Sequence, residues 1–380
     1  MTGTEKVFTG KIGIDARAAV WYRGTGIGTY TYRLLHHLKQ REEADDYRLF
    51  WQGDEIRGLD IANRVDFQRL EMNCNYWREV YLPEAIAKEQ ILLYHVPQNG
   101  IGLPCPKSCL QVVTIHDLIP YLYPETVGKG YLQEFLSHMP TVMANADKII
   151  TVSERSKQDI SDIFNYPKAN IEVIYEAAEP FYRPIPKHIC RQFLIRKYGI
   201  GEPFILYVGG FGSRKNLRGL MIAHALAMRE IKQDYLLVCP GNLRAEDNNY
   251  ALTAALGTAD KVVFPGFVPA EDLPYFYGAA ALFVYPSFYE GFGLPPLEAF
   301  ACGTPVICSD NSSLPEVAGE AALLVNPYNA HEIAIAIVKV LMDPILAANL
   351  GEMGLRQAQG FSWEKTAHKT AAVYHKMLEG

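Results

Sequence analysis

The strongest constraint on the fold of this chain is a regular alternation between short β-rich runs and segments with helical periodicity. Runs such as Lys11–Asp15, Leu110–Ile115 and Lys148–Val152 each end in a polar or glycine-containing loop, and apolar residues then recur at helical spacing. This alternation predicts βα units built on parallel sheets. A second series of the same kind begins at Phe204–Val208, so we expect two α/β domains of similar size.

A proline-rich segment separates the two series. Residues Glu179–Pro186 contain three prolines, which are incompatible with a helix interior or a central strand. We therefore predict a Rossmann-like N-terminal domain over 1–180, a linker region over 181–201 with a polar helix near Lys187–Tyr198, a second Rossmann-like domain over 202–361 and a final helix over 362–380. Sheets of this type bind ligands beyond the carboxyl ends of their strands, so we place the ligand in an inter-domain cleft.

The composition is that of a globular protein, and it argues against several functional classes. Of 380 residues, 49% are hydrophobic and 21% are charged, and the net charge of −6 argues against general nucleic-acid binding. No apolar run is long enough for a transmembrane helix, and residues 1–10 lack the apolar core of a secretory signal. The seven cysteines form no C-x-x-C pair. We therefore expect a reduced, cytoplasmic protein.

The first glycine-rich loop, Gly24–Gly28, reads G-T-G-I-G and lies between a strand and a helix. It is not the dinucleotide fingerprint G-x-G-x-x-G, because Thr29 stands at the sixth position. The backbone amides of Gly26 and Gly28, at a helix N-terminus, are candidates for binding a phosphate. The alternative is a tight turn that requires a positive φ.

The second glycine-rich loop, G-G-F-G-S-R-K-N over 209–216, follows the strand of the second series. Gly210 exposes backbone amides there, and Arg214 and Lys215 place two cations at the start of a helix. Cations at that position oppose the helix dipole, and a bound diphosphate would explain them. The alternative is a pair of solvated basic side chains.

The most informative segment places Glu290 just past a strand and Glu298 eight residues later. Gly291 and Gly293 keep Glu290 in a loop, whereas Pro295–Pro296 open a helix with Glu298 in its first turn. A carboxylate can accept two hydrogen bonds from a vicinal diol, so the two glutamates could hold two sugars of one ligand, with loop amides over the phosphates between them. The alternatives are a helix-dipole glutamate and a solvated turn residue.

Two further features carry weaker signals. His116 ends the strand Leu110–Ile115, and we expect it either to contact a ligand in the cleft or to be a structural hydrogen-bonding residue. The aromatic and basic segment Tyr76–Leu82 is either a peripheral membrane or acceptor contact or a packed amphipathic helix. Because the sequence has neither H-E-x-x-H nor a D-x-D pair, no bound metal is expected.

Taken together, these motifs resemble the retaining glycosyltransferases of group 1, glycosyltransferase family 4, over nearly the whole chain. The most specific part is E-G-F-G-L-P-P-L-E from Glu290 to Glu298. The runs G-G-F-G-S-R-K-N-L and P-G-F-V-P-A-E-D-L-P are similar to the family as well. The run H-D-L-I-P-Y-L-Y-P-E, which starts at His116, resembles the mannosyltransferase-like branch.

The resemblance implies an α/β fold of two facing Rossmann-like domains, the GT-B architecture, with the donor in the inter-domain cleft. It also implies that 1–180 is the acceptor domain, that 202–361 is the nucleotide-sugar donor domain and that the helix over 362–380 crosses back to the N-terminal domain. Arg214 and Lys215 would bind the diphosphate, Glu298 the ribose, and Glu290 and the loop amides the transferred sugar, which His116 would also contact. The catalytic set is therefore His116, Glu290, Arg214 and Lys215. The donor-binding set is Gly26, Gly28, Gly210, Arg214, Lys215, Val268, Glu290, Gly291, Phe292, Gly293, Leu294 and Glu298.

The function that the resemblance implies is transfer of a hexose, best matched by mannose from GDP-mannose, to a glycan or lipid-linked acceptor in polysaccharide biosynthesis. No cofactor and no metal are expected, and membrane contact would be peripheral. The alternatives are a UDP-glucose or UDP-GlcNAc transferase or synthase of the same fold, a sugar-nucleotide epimerase, a retaining glycosidase using Glu290 and Glu298, and a non-catalytic nucleotide-sugar-binding protein.

One segment departs from the family pattern. Residues 173–179 read V-I-Y-E-A-A-E, where many members have a V-I-P-N-G-V-D-like sequence. Any role of that Asn-Gly pair is therefore not assigned to this chain.

Overall fold

The protein is described here by a computed structural model covering residues 11–22, 24–41, 44, 46–51, 64–65, 76–242 and 249–379. The chain divides into two compact units, Met1–Glu176 with Trp363–Gly380, and Ala177–Ser362. Cys74 lies outside the described residues, and the other six cysteines are free thiols.

The first unit is built on a seven-stranded sheet in which every pairing is parallel. Its strands are β1 (Lys11–Asp15), β2 (Tyr47–Phe50), β3 (Arg64–Val65), β4 (Ile91–Val96), β5 (Leu110–Ile115), β6 (Lys148–Thr151) and β7 (Ile171–Val173). Their spatial order is β3-β2-β1-β4-β5-β6-β7. Apolar side chains on both faces of β5 are buried, as expected for a parallel sheet covered by helices.

The second unit repeats this plan with a six-stranded parallel sheet. Its strands are β8 (Phe204–Leu206), β9 (Leu236–Val238), β10 (Val262–Val263), β11 (Leu282–Tyr285), β12 (Val306–Ser309) and β13 (Ala322–Val325). The order β10-β9-β8-β11-β12-β13 reverses direction between β8 and β11, and the first sheet reverses between β1 and β4 in the same way. Such a reversal is the topological switch point at which Rossmann-type sheets bind ligands.

Helices connect the strands, as the sequence pattern predicts. Up to the end of β7 they are α1 (Arg17–Trp21), α2 (Gly26–Leu38), α3 (Leu82–Glu89), α4 (Ile119–Leu122), α5 (Lys129–Asn145) and α6 (Glu154–Phe164). After β7 they are α7 (Lys187–Tyr198), α8 (Leu217–Glu230), α9 (Asn249–Ala255), α10 (Leu273–Ala279), α11 (Leu294–Ala301), α12 (Leu314–Ala318), α13 (Ala330–Met342), α14 (Pro344–Ala358) and α15 (Trp363–Glu379).

The segment 181–201 is part of the second unit. Its helix α7 packs against α10, with the rings of Phe193 and Tyr275 stacked 4.0 Å apart. The carboxylate of Asp272 accepts hydrogen bonds from both Lys197 and Tyr198, each at 2.5 Å. The residues that the sequence assigns to a linker therefore contribute to a folded layer.

The final helix α15 belongs to the first unit, although 186 residues of the second unit precede it in the chain. It packs against α2 and buries Trp363, Ala371 and Tyr374. The Tyr374 hydroxyl lies 2.6 Å from Nδ1 of His95 on β4. Among the described residues no single helix is long and apolar enough to cross a membrane, and only the bent pair Ala330–Met342 with Pro344–Glu379 reaches that length and composition.

Candidate active site

The predicted donor-binding residues of the second unit gather at the switch point of its sheet. Arg214 and Lys215 lie in a 3₁₀ turn after β8, and Glu290 lies in the loop after β11. Asn216 joins the two loops, because its side-chain amide donates to the carbonyl oxygens of Pro286 and Pro327 at 3.0 and 2.7 Å. The same side chain caps α8 by accepting from the Gly219 amide.

Lys215 makes three hydrogen bonds within this cluster. Its Nζ donates to both carboxylate oxygens of Glu290, at 2.8 and 2.9 Å, and to the Tyr285 hydroxyl at 2.7 Å. Arg214 Nη1 lies 3.1 Å from Glu290 Oε1 and also donates to the Tyr289 carbonyl. Only 14% of the Arg214 side chain and 20% of the Lys215 side chain are exposed. They are therefore built into the site and are not a pair of solvated basic side chains.

Glu290 is a buried, ionised carboxylate. Besides its two cations, it accepts hydrogen bonds from Ser287 at 2.5 Å and Tyr285 at 2.9 Å. Burial by itself raises the pKa of Glu290, but the charges of Lys215 and Arg214 and the hydrogen bonds lower it to about 2. The three charged side chains together carry one net positive charge, which suits a site for an anion.

The backbone of the glycine loop after Glu290 is hydrogen-bonded to two serine side chains. Ser313 donates to the carbonyl oxygens of Glu290 and Phe292, and the Glu290 amide donates to Ser312. Gly291 and Phe292 are buried. Gly293 has φ +124, a conformation that favours glycine, and a Cβ there would lie 2.8 Å from Leu314. The loop is thus held in one shape up to Leu294, the first residue of α11.

Glu298 lies in the second turn of α11, which corrects the expectation of a first-turn residue. The helix starts at Leu294, one residue before its two prolines, so Glu298 is its fifth residue. Glu298 is therefore too far along the helix to stabilise its N-terminus through the helix dipole, because that effect is confined to the first turn.

Two tyrosines hold the carboxylate of Glu298. Tyr277 donates to its Oε2 at 2.8 Å, and Tyr182 also donates to it. Burial raises the pKa of Glu298 to about 7, although these hydrogen bonds act to lower it. The sequence did not single out Tyr182, Tyr277, Tyr285 or Ser287. The only feature of the sequence that could have marked them is a hydroxyl-bearing side chain close to a motif or to the proline-rich segment.

The remaining donor-site predictions in the second unit lie near the carboxyl edge of its sheet. Gly210 follows β8, and its carbonyl oxygen accepts from the Tyr207 hydroxyl at 2.7 Å. A Cβ at Gly210 would meet no atom within 4 Å, so open space adjoins it. Val268 lies in the loop that follows β10 and is 8% exposed.

In the first unit, the glycine loop is a helix start. Gly24 has φ +84, as a tight turn requires. Thr25 caps α2, and its hydroxyl oxygen accepts from the Gly28 amide at 3.2 Å. One of the two amides predicted to bind phosphate therefore has an internal acceptor, whereas Gly26 is the first, exposed residue of the helix.

His116 is held by internal partners on both ring nitrogens. Nδ1 lies 3.1 Å from the Glu176 carboxylate and Nε2 lies 2.9 Å from the Pro97 carbonyl oxygen. Burial lowers the pKa of His116, but the hydrogen bond and charge of Glu176 raise it above its ordinary value. Glu176 belongs to the segment that departs from the family pattern. A ligand contact by His116 stays a prediction, and the structure gives it a structural role in addition.

The segment Tyr76–Leu82 forms a π-helical turn, Trp77–Tyr81, that leads into α3. Trp77 and Leu82 are buried, and the Trp77 ring stacks on Tyr81. Tyr76 and Val80 are exposed. The segment is therefore a packed amphipathic helix whose exposed side carries the apolar side chains of Tyr76 and Val80. Among the described residues, no group of three or more His, Cys, Asp or Glu side chains is arranged to hold a metal ion.

Known proteins that resemble this chain are glycosyltransferases. The family model of "Glycosyl transferases group 1" matches residues 191–357, and that of "Glycosyltransferase Family 4" matches residues 24–180. The O-antigen chain mannosyltransferase B of Escherichia coli is 32% identical over 379 residues, which covers 95% of this chain and 98% of that protein. The serotype-specific mannosyltransferase WbdA of Escherichia coli is 32% identical over 291 residues, or 75% of this chain and 36% of that protein.

The fold also matches a solved structure, that of sucrose-phosphate synthase from Thermosynechococcus elongatus. The TM-score is 0.74, with 97% of this chain and 99% of that chain covered at 23% identity, so the likeness concerns the fold alone. The full-length relative and the two family models together identify this chain as a member of the group 1, family 4 glycosyltransferases, of mannosyltransferase-like type and with two Rossmann-like domains of the GT-B fold.

Proposed function

We propose that this glycosyltransferase transfers mannose from GDP-mannose to a hydroxyl group of a glycan or lipid-linked glycan, with retention of the anomeric configuration and without a metal ion. The observation that carries the proposal is the cluster of Arg214, Lys215 and Glu290 at the switch point of the second sheet. The names of the full-length relative and of WbdA support mannose as the transferred sugar.

The cluster fits a reaction in which a nucleoside diphosphate leaves. Negative charge builds on the phosphate oxygens as the glycosidic bond breaks, and Arg214 and Lys215 stabilise it where it develops. Glu290 fixes the Lys215 ammonium through both of its carboxylate oxygens, so little reorganisation is needed. The acceptor oxygen attacks from the face that the diphosphate leaves, and a phosphate oxygen takes its proton. This path requires no side-chain base.

The other site residues are assigned by the same proposal. Glu298 accepts hydrogen bonds from the ribose diol, the loop Gly291–Leu294 binds the sugar, and Gly210 and Val268 line the nucleotide. His116 contacts the transferred sugar from the first unit. Exposed Tyr76 and Val80 support peripheral contact with a membrane on the cytoplasmic side.

A panel of nucleotides tests the donor. Unfolding would be followed with GDP, UDP, ADP and their sugars, and a ligand at 100 times its dissociation constant stabilises the fold by about 2.7 kcal/mol. We expect GDP and GDP-mannose to stabilise the protein most. A protein that uses UDP-glucose and ignores GDP-mannose would contradict the donor assignment but not the family.

Substitutions at the cluster test the mechanism. Arg214→Ala and Lys215→Ala should reduce transfer even in fully folded protein, because both cations act on the leaving group. Each should also lower the free energy of unfolding, because the buried Glu290 carboxylate loses a compensating cation. His116→Ala should reduce transfer and leave GDP affinity nearly unchanged. Activity should survive EDTA, and a complete loss that Mn²⁺ or Mg²⁺ restores would exclude a metal-free reaction.

A second function has one observation in its favour. The pKa values of Glu290 and Glu298 are shifted in opposite directions, as in the acid and nucleophile pair of a retaining glycosidase. Both oxygens of Glu290 are occupied by Lys215, however, which leaves a poor nucleophile. Hydrolysis of a nitrophenyl mannoside in the absence of nucleotide would favour this reading.

A further inference from the structure

One helix of the second unit carries a local surplus of positive charge. Residues 180–201, which contain α7, have five Lys or Arg residues and one His, but no Asp or Glu. The whole chain, by contrast, has a net charge of −6. A surplus of one sign on one segment of an otherwise acidic protein attracts an anionic partner to that segment in particular.

Much of this charge has no counter-charge in the fold. Lys197 pairs with Asp272 at 2.5 Å, in the last turn of α7, and Lys187 Nζ lies 3.4 Å from the Ala280 carbonyl oxygen. The three arginines of the segment are exposed, and no carboxylate in the described part of the chain lies within ion-pair distance of them. These are Arg183, Arg191 and Arg196.

The outer face of α7 combines its arginines with exposed apolar side chains. The inner face packs against α10, whereas Ile189 is 43% exposed and Ile195 is 51% exposed. Arg191 precedes Ile195 by four positions, and Arg196 follows Ile189 by seven. At these spacings two side chains share one strip of the helix surface. Each exposed isoleucine therefore lies beside an arginine.

This combination favours an anionic lipid surface over a nucleic acid. Phosphate groups attract arginine in both cases. Nucleic acids are otherwise bound through base edges and by stacking on aromatic rings, and isoleucine offers neither contact. At a bilayer surface, isoleucine side chains enter the boundary between headgroups and acyl chains, while the long arginine side chains extend to the phosphates. Phe181, which is 36% exposed just before the helix, adds further apolar surface.

We infer that the outer face of α7 docks on an anionic lipid bilayer. The exposed arginines of residues 180–201 contact the lipid phosphates, and Ile189 and Ile195 enter the interfacial region. This surface belongs to the second unit, whereas the contact proposed for Tyr76 and Val80 belongs to the first. The inference goes beyond the proposed glycosyl transfer and does not depend on the identity of the donor.

Sedimentation with lipid vesicles tests the inference on the full chain and without nucleotide. The vesicles contain phosphatidylcholine, either alone or with about 30% of the anionic lipid phosphatidylglycerol. We expect the wild-type protein to bind the anionic vesicles at least tenfold more strongly. Raising the salt concentration from about 0.1 M to about 1 M shortens the Debye length from about 10 Å to about 3 Å and should weaken this binding.

Two double variants separate the charged from the apolar contribution. Arg191→Gln with Arg196→Gln removes two charges, and Ile189→Ala with Ile195→Ala removes the apolar side chains. All four positions are exposed, and glutamine and alanine are good helix formers, so α7 should stay folded. Each double variant should bind the anionic vesicles at least tenfold more weakly than the wild type. An unchanged midpoint of thermal unfolding shows that the fold is intact.

Ile345→Ala combined with Arg356→Gln is the matched control. Both residues lie on α14, where Ile345 is 74% exposed and Arg356 is exposed as well. This variant loses one exposed isoleucine and one exposed arginine outside α7, and it should bind the vesicles as the wild type does. Val80→Ala, measured in parallel, reports on the contact proposed for the first unit.

Four results would overturn the inference. The wild-type protein binds anionic vesicles no better than neutral ones, the two α7 double variants bind as the wild type does, or the α14 control loses as much binding as they do. The fourth is a duplex oligonucleotide that binds more tightly than the vesicles and is unaffected by the two isoleucine substitutions, which would assign this face to a nucleic acid. Because no nucleotide sugar is present, vesicle binding is measured independently of whether GDP-mannose is the donor.

Discussion

At the scale of single residues, the site is governed by two glutamates of opposite character. The charges of Lys215 and Arg214 lower the pKa of Glu290 to about 2, whereas burial raises the pKa of Glu298 to about 7 against the lowering effect of its two tyrosine hydrogen bonds. Both carboxylates belong to one motif, and their spacing alone would not separate them. The difference arises because Arg214 and Lys215 reach only the first.

The raised pKa of Glu298 predicts a pH-dependent stability. Its ordinary pKa is 4.5, so the protonated group stabilises the fold fully below that value, and the contribution is lost as the pH rises through about 7. The variant Glu298→Gln cannot ionise. Between pH 5 and pH 8 its free energy of unfolding should therefore rise relative to that of the wild type by about 1–3 kcal/mol. Urea unfolding at both pH values measures this, and an equal difference at both would contradict the shift.

His116 gives a prediction of the same kind. Because Glu176 and Pro97 offer only acceptors to its ring, the doubly protonated form satisfies both and the pKa of His116 is raised. This stabilises the fold fully below pH 6.5, and the contribution is lost as the pH rises through the folded pKa. Glu176→Gln should therefore lower the free energy of unfolding most below pH 6.5, by about 3–5 kcal/mol, the usual cost of breaking a buried ion pair. NMR titration of the His116 ring checks it. An unchanged His116 pKa in the variant would rule out the pairing.

At the scale of secondary-structure elements, the loops after β8 and β11 owe their shape to specific backbone requirements. Asn216 caps α8 and at the same time joins neighbouring loops, and Ser313 holds the carbonyls of the glycine loop. The alternation of strands and helices was predictable, but the sequence did not identify β2, β3, β4 or β13, and several other strands are shorter than their apolar runs. Phe204–Val208, for example, forms a strand only over Phe204–Leu206, although the Tyr207 amide still donates to the Val238 carbonyl oxygen on β9.

Gly293→Ala tests the strain in the glycine loop. The positive φ and the approach of Leu314 should make the alanine variant less stable by about 1–3 kcal/mol. GDP-mannose affinity should fall with it, since the loop carries Glu290 to Leu294. Denaturant unfolding and calorimetry measure the two effects. Gly212→Ala is the control, because a Cβ there meets no atom within 4 Å and φ is −61; equal losses in both variants would refute the strain argument.

At the scale of the whole molecule, the chain ends in the unit in which it begins. Helix α15 packs against α2 and β4 of the first unit, and Thr366 on it donates to the Tyr175 carbonyl oxygen at 2.7 Å. The buried His95 is hydrogen-bonded between Tyr374 and Thr114, at 2.6 and 2.8 Å. Burial keeps it neutral, with its pKa lowered to about 3.

Removal of α15 should therefore destabilise the first unit and leave the second unit folded. Tyr374→Phe isolates one contact, since it leaves a nitrogen of His95 unpaired, and should cost about 1–3 kcal/mol. Hydrogen exchange, read separately for the two units, measures both. A truncated chain with unchanged protection in β4 and α2 would show that α15 is dispensable.

The sequence by itself determined the class of the fold and the positions of the main motifs along the chain. Alternating apolar periodicities indicate parallel βα units, and glycines, prolines and charges after the strands mark the loops that carry Arg214, Lys215, Glu290 and Glu298. These are local signals, because they depend on residues a few positions apart. They also led to Glu298 being placed one turn too early, since a helix start is defined by backbone hydrogen bonds and not by its prolines.

Only the tertiary structure decided which of these groups meet. Lys215 and Glu290 are 75 positions apart, and they pair because β8 and β11 are neighbours in the sheet. The same holds for Tyr182 with Glu298, His116 with Glu176, and Tyr374 with His95. Strand order and the return of the last helix depend on the packing of whole elements, and burial, which sets each pKa, is a property of that packing. Neither can be read from residues that are adjacent in the chain.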